Sequence, residues 1–230
     1  MKQVFQDLNK GIQRIDNVPT PSINKNQVLI QTRCSLISSG TEGMLISFGK
    51  SNYINKAKQQ PNKVKDVINK ISTDGIIETL EAVRSKLENP IPLGYSNVGK
   101  VLKVGSSVKD IKVGDRVASN GPHAEMVAVN QNLCVLVPSN VEDEEAAFTV
   151  IASIALQGIR LAKPNLGETF IVSGLGLIGL LTCKLLLSQG CNVLGIDPDS
   201  ERCDLAKSFG VKTLKIGNNV NQVNWVLNLT

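Results

Sequence analysis

Short runs of alternating apolar and polar residues, separated by glycine turns, fill the first half of the chain. Val28-Leu-Ile-Gln-Thr-Arg-Cys34 is a β-rich run, and Asn97 to Val104 alternates as a half-buried strand does. Val113-Gly-Asp-Arg-Val-Ala118 sets a turn ahead of a strand. Glu125 to Val129 and Cys134 to Pro138 follow at the intervals of a small barrel. These runs predict a compact, mostly antiparallel β domain over residues 1–140. One stretch breaks the alternation. Between Pro61 and Leu87, Val64, Val67, Ile68 and Ile71 form one helical stripe, and Ile76, Leu80, Val83 and Leu87 form another. Asp74-Gly75 separates the stripes and Asn89-Pro90 stops the second. A helical hairpin inserted at about 54–89 is therefore expected; scaffold packing is its default role, with a lid or docking surface as the alternatives.

After Pro138 the pattern turns to alternating helix and strand. Glu142-Asp-Glu-Glu145 opens a helix with acids at its positive end, and Ala146 to Arg160 continues helical. Strand, helix, strand and a second helix around Leu205–Phe209 come next. Val211 to Ile216 reads as a third strand, and a further helix begins within Asn219–Thr230. Residues 141–230 are thus expected to form the second domain.

The most specific chemistry lies in that domain. The apolar strand before Gly174 runs into Gly174-Leu175-Gly176-Leu177-Ile178-Gly179, and the strand that closes the unit ends on Asp197. Gly174 permits a tight turn, Gly176 admits a pyrophosphate to the backbone, and Gly179 lets the helix pack close to the strand. The helix N-terminus then faces the phosphates. Asp197 follows roughly twenty residues later, where a carboxylate accepts hydrogen bonds from an adenosine ribose. These residues predict a dinucleotide site. A carboxylate repels a 2′-phosphate, so NAD is favoured over NADP, although Arg202 keeps the phosphorylated cofactor in view. The competing reading of Asp197 is a turn former before Pro198.

Composition narrows the setting. The chain has 230 residues, 42% of them hydrophobic and 3% aromatic, and no apolar run of membrane-spanning length. Its start lacks the apolar core of a signal peptide. The five cysteines are odd in number and without paired spacing, which suits reduced thiols and a cytoplasmic location. The net charge is +5, with much of the excess in Lys56, Lys58, Lys63, Lys65 and Lys70. So few aromatics argue against base stacking, and neither a nucleic-acid nor a membrane partner is expected. A solvated helix face is the bland reading of the lysines; a platform for a phosphorylated or nucleotide-linked substrate is the sharper one.

Taken together, Val104-Gly105, Val113-Gly-Asp-Arg-Val117, Ala124-Glu125, Gly167-Glu-Thr169 and the Gly174–Gly179 loop resemble the medium-chain dehydrogenase/reductase family. The resemblance implies a GroES-like catalytic barrel followed by the first half of a Rossmann doubly wound parallel sheet. Cys34-Ser-Leu-Ile-Ser-Ser-Gly-Thr-Glu-Gly43, Pro92-Leu-Gly-Tyr-Ser-Asn-Val-Gly99 and Ser119-Asn-Gly-Pro-His-Ala-Glu125 look like the medium-chain part of bi-domain oxidoreductases, which are linked to surface-polysaccharide or nucleotide-sugar metabolism. Only the adenosine-side half of the dinucleotide fold is present, so a C-terminally truncated form is expected.

Zinc members of the family carry a cysteine near Ser38, His-Glu at Tyr95-Ser96 and a third ligand near Thr149. These side chains are poor tetrahedral zinc ligands, so no zinc is expected. The resemblance then implies a zinc-independent, NAD(H)-linked oxidoreductase for an alcohol/carbonyl pair, on a sugar or nucleotide-sugar, with nicotinamide between the domains facing Tyr95, Ser38 and His123. Tyr95 and His123 are candidates for passing the proton. Ser38 and Thr149 are candidates for holding the substrate oxygen, and Ser153 matches a hydroxyl near nicotinamide. In the bland readings Tyr95 packs against the barrel, His123 is a turn residue and Glu42 an exposed loop carboxylate. Three rival functions stand beside this one: a dinucleotide-binding remnant without activity, an NADPH-dependent quinone or enoyl reductase-like enzyme, and an interaction-mediating fragment. Homo-oligomer formation stays open.

Overall fold

The computed structural model describes residues 1–51, 89–217 and 221–230, together with residues 55, 58, 61, 62, 64 and 65. The expected helical hairpin, both its apolar stripes apart from Val64, and Lys56, Lys63 and Lys70 lie outside the described residues. Two compact units emerge, Met1–Phe148 and Thr149–Thr230. The boundary thus falls at 148/149 and not at the expected 140/141.

The first unit is β-rich. Strands β1 (Lys2–Asp7) and β2 (Ile12–Asn17) form an antiparallel hairpin, and β4 (Ile91–Pro92) pairs with the other edge of β1. The Asp7 carboxylate shapes the hairpin turn by accepting the N–H groups of Asn9 and Lys10 at 3.0 and 2.8 Å. A second antiparallel sheet orders β3 (Gln27–Ser35), β5 (Asn97–Val104), β6 (Arg116–Ser119), β7 (Met126–Asn130) and β8 (Cys134–Leu136) as β7-β3-β5-β6-β8. Register shifts between Leu29 and Ile30 and between Thr32 and Cys34 bend β3 where it pairs with β5. Val28, Ile30, Val101, Val117 and Val127 point into one core, each at 2% exposure or less. Each such side chain contributes about 1.5–3 kcal/mol through burial.

Helix α1 (Thr41–Lys50) follows β3 directly. The sequence pattern did not announce it, nor the β1–β2 hairpin. Helix α2 (Asp143–Ala146) closes the unit, and Glu142 and Glu145 form its capping box. Asp143 receives Arg33 at 3.3 Å and Arg116 at 3.2 Å, while Arg116 also donates to the carbonyls of Pro138 and Val141. The expected continuous helix from Glu142 to Arg160 is interrupted at Ala147–Phe148. Ala146 and Ala147 are drawn into a core with Val98 and Ala118. The Ala147 carbonyl accepts the Ser96 hydroxyl at 2.5 Å, so it is taken by a group outside the helix. This packing also explains the later unit boundary.

The second unit is a short parallel α/β sheet ordered β11-β10-β9, built from β9 (Thr169–Ser173), β10 (Asn192–Asp197) and β11 (Lys212–Lys215). Helices α3 (Thr149–Ala162), α4 (Leu177–Ser188), α5 (Ser200–Ser208) and α6 (Gln222–Leu227) accompany it. The strand-helix-strand order expected from the sequence is what forms. Val172, Val193, Cys183, Leu186, Ala206 and Val211 make its core. Among the described residues no helix is long and apolar enough to cross a membrane. All five cysteines are free thiols.

Cys183 is fully buried, and burial pushes its thiol up to about 11. The thiolate is the reactive form, so iodoacetamide at pH 8 should spare Cys183 in the native chain and modify it within minutes in urea. Rapid native labelling of Cys183 in a peptide map would contradict this packing.

Candidate functional site

In the first unit, two polar side chains, Ser35 and Glu42, converge on one residue, His123. Its backbone is fixed twice: its N–H donates to the Leu93 carbonyl at 2.8 Å, and its carbonyl accepts the Val4 N–H at 2.9 Å. The imidazole lies between Ser35 and Glu42, with Nδ1 2.8 Å from Ser35 Oγ and Nε2 3.0 Å from Glu42 Oε2. A carboxylate only accepts, so in the neutral imidazole the proton sits on Nε2 and Nδ1 accepts from the Ser35 hydroxyl. Gly94 (φ +90°) runs beneath the ring. A Cβ there would stand 2.6 Å from His123 Cγ, so only glycine fits.

Glu42 is not the exposed loop carboxylate of the bland reading. It sits in the first turn of α1 at 4% exposure. Burying that charge is tolerable because Oε1 accepts the Ser38 N–H at 2.8 Å, Oε2 meets His123, and the helix N-terminus carries partial positive charge. A signal was present in Ser39-Gly-Thr-Glu42, which has the spacing of a capping box. It went unread because the glycines at 40, 43 and 49 weaken the helical pattern. His123 likewise is more than a turn residue.

Of the expected catalytic residues, the structure gathers Tyr95, Ser38 and His123 in this unit. Thr41 and Glu42, neighbours at the start of α1, link them: the Tyr95 hydroxyl donates to Thr41 Oγ1 at 3.3 Å, and Glu42 holds both Ser38 and His123. Ser35 and Thr41 were not foreseen. A cavity of about 450 Å³ opens beside the cluster, with Ser35, Glu42 and His123 at its polar end and Val4, Ile37, Ile46 and Leu93 on its aliphatic wall. Thr149 and Ser153 belong to the second unit. Thr149 is exposed at the start of α3, and Ser153 donates its hydroxyl to the Val150 carbonyl at 2.6 Å.

The groups standing where zinc ligands would be expected do not suit the metal. Ser96 is committed to Ala147, Tyr95 to Thr41, and Ser38 is a hydroxyl at 5% exposure. Among the described residues no cluster of three His, Cys, Asp or Glu side chains could hold an ion.

The second unit carries the glycine loop. Gly174 (φ +90°) turns the chain out of β9, and Gly176 is the N-cap of α4 with no side-chain cap. A Cβ on Gly179 would lie 1.9 Å from the Gly174 carbonyl, so the helix start can only pack this close without one. The backbone at Gly176 faces open space, with Arg202 the one group within 4 Å of a Cβ built there. Leu175 is fully buried and anchors the loop, while Leu177 and Ile178 form the uncapped first turn of α4.

Asp197 ends β10 at 2% exposure. Its Oδ2 accepts the Leu175 N–H at 2.7 Å and its Oδ1 the Asp199 N–H at 2.8 Å. It therefore braces the glycine loop from below, a role the spacing alone did not reveal. Asp199 caps α5 through the Glu201 and Arg202 N–H groups. Arg202 lies 3.9 Å from Asp197 and 3.6 Å from Asp199, with its side chain 54% exposed. Turn, uncapped helix start and terminal acid fit a dinucleotide.

Residues 66–140 match the alcohol dehydrogenase GroES-like domain. The chain is similar to the medium-chain dehydrogenase/reductase family. A D-guloside 3-dehydrogenase of Escherichia coli (strain K12) is 36% identical over 122 residues, which cover 51% of this chain and 35% of that enzyme. Galactitol-1-phosphate dehydrogenase from Escherichia coli superposes with a TM-score of 0.75 at 23% identity, covering 100% of this chain and 65% of that one. A short chain alcohol dehydrogenase from Escherichia coli CFT073, complexed with NADH, gives 0.75 at 17% identity, covering 100% of this chain and 66% of that one. The chain thus spans no more than about two thirds of the length of these relatives.

Gly94→Ala should force His123 off its bonds to Ser35 and Glu42 and destabilise the first unit by about 1–3 kcal/mol. Urea unfolding of the variant is the check; an unchanged midpoint would show that the ring does not depend on that glycine.

Proposed function

We propose that the protein is a zinc-independent, NAD(H)-linked oxidoreductase acting on an alcohol/carbonyl pair carried by a sugar or sugar derivative. The observation that carries this reading is the braced glycine loop, in which a buried Asp197 fixes Leu175 and leaves the Gly176 backbone and the α4 N-terminus open. Gly176, Leu177, Ile178 and Gly179 would hold the pyrophosphate through backbone N–H groups, with Gly174 and Leu175 shaping the turn through their own bonds to Ile196 and Asp197, and Asp197 would hold the adenosine ribose. When bound, nicotinamide supplies the hydride chemistry.

The choice of NAD(H) rests on charge. Asp197 and Asp199 place two carboxylates at the ribose end, and Arg202 already lies against both. A 2′-phosphate would meet two negative groups and a cation that is partly neutralised.

For proton handling, Tyr95 fits better than His123. The tyrosine hydroxyl needs only Thr41 as partner, whereas both imidazole nitrogens are engaged. Tyr95 would hydrogen-bond the substrate oxygen and pass its proton by way of Thr41, taking over the polarising duty that zinc performs elsewhere. Ser38 would stay a positioned hydroxyl. The sugar assignment follows the D-guloside and galactitol-1-phosphate enzymes it resembles.

A thermal-shift titration with NAD⁺, NADH and NADPH tests the cofactor site, since a ligand of the folded state raises the melting temperature with concentration. The expected order is NADH and NAD⁺ well ahead of NADPH, and Asp197→Ser should narrow the gap. No saturable shift with any dinucleotide would overturn the assignment. With turnover established on a sugar alcohol, Tyr95→Phe should lower kcat by about 10²–10⁴-fold and leave the NADH shift in place.

A further inference from the structure

We propose that Ser35, His123 and Glu42 form a nucleophile–base–acid triad that hydrolyses short-chain carboxylic esters in the first unit, independently of the dinucleotide. Both links have the length of working catalytic hydrogen bonds, 2.8 Å from Ser35 Oγ to His123 Nδ1 and 3.0 Å from His123 Nε2 to Glu42 Oε2. The base is pre-set. His123 is held through its own backbone by Val4 and Leu93, and Glu42 is held through its second oxygen by the Ser38 N–H. A simple strut needs no access to solvent, yet all three side chains open onto the same cavity of about 450 Å³.

The cavity selects the ligand. Its wall is aliphatic, formed by Val4, Ile37, Ile46 and Leu93, and its polar end bears the negative charge of Glu42. A free carboxylate or phosphate would be repelled, whereas a neutral ester could seat a short acyl chain on the wall. Ser39 lines the same cavity, and its backbone N–H makes no hydrogen bond among the described residues, so it is the donor available to a developing oxyanion.

The chemistry balances with water as co-reactant. Ser35 Oγ attacks the ester carbonyl carbon, its proton passes to His123 Nδ1, and Glu42 stabilises the imidazolium. Collapse of the tetrahedral adduct breaks the carbonyl–alkoxy bond, and the departing alkoxide takes the proton from His123. Water then attacks the Ser35 ester with His123 as base. The carboxylic acid leaves and the Ser35 hydroxyl is restored.

The test omits dinucleotide, so its outcome is separate from that of the oxidoreductase reading. The unmodified chain is treated with an alkyl fluorophosphonate and mapped by mass spectrometry, and its hydrolysis of p-nitrophenyl butyrate is followed. One adduct on Ser35 is expected, with hydrolysis that falls to the buffer rate in Ser35→Ala and drops about 10²–10⁴-fold in His123→Gln. Glu42→Gln, which keeps the side-chain shape, should lower kcat with little change in KM. Absence of the Ser35 adduct from the unmodified chain overturns the proposal without reference to any variant. Hydrolysis that persists in a cooperatively folded Ser35→Ala protein overturns it equally.

Discussion

A buried carboxylate in each unit governs where the neighbouring backbone can go. In the first unit it is Glu42. Left without partners inside the protein, that charge would cost several kcal/mol, and the structure answers with a backbone N–H, an imidazole and a helix N-terminus. Each partner belongs to a different segment: the loop after β3, the 120–124 turn, and α1 itself. Satisfying one side chain therefore ties three segments together. Gly94, the His123 ring and the cavity beside it take their places from that requirement.

Asp197 acts likewise in the second unit, with another outcome. Its two oxygens accept backbone N–H groups from the glycine loop and from the turn leading to α5. The acid thus holds the Leu175 peptide still, the Ile196 carbonyl takes the Gly174 N–H, and the backbone at Gly176 faces open space. A ribose-binding residue and a structural brace are usually treated as alternatives. Here the brace comes first, because a loop whose conformation is not fixed cannot present an ordered anion site.

Much of this was legible in the chain. The glycine spacing, the strand that precedes it and Asp197 marked the loop, since backbone turns and close packing leave few residue choices. Strands β3, β5, β6 and β7 were legible because each buries apolar residues such as Val28, Val101, Val117 and Val127. Helix α1 did not. Its two buried positions are Glu42 and Gly49, so it carries no apolar stripe from which to infer a buried face. The hairpin of β1 and β2 was equally quiet, with Gln6 and Asp7 among its buried residues. The interruption at Ala147 depends on a hydroxyl fifty-one positions away in sequence, Ser96, which no local pattern reports.

That division also separates what the two sites can hold. The glycine loop leads into a helix start whose backbone N–H groups have no side-chain cap. The cavity at His123 is built the other way, with an acid at its polar end and hydrocarbon on its walls. An anion suited to bare backbone donors would meet repulsion from the carboxylate at the polar end of the His123 cavity. The placement of two buried carboxylates, one facing its own backbone and one bordering a cavity, thus sets the charge of the ligand that each unit can accept.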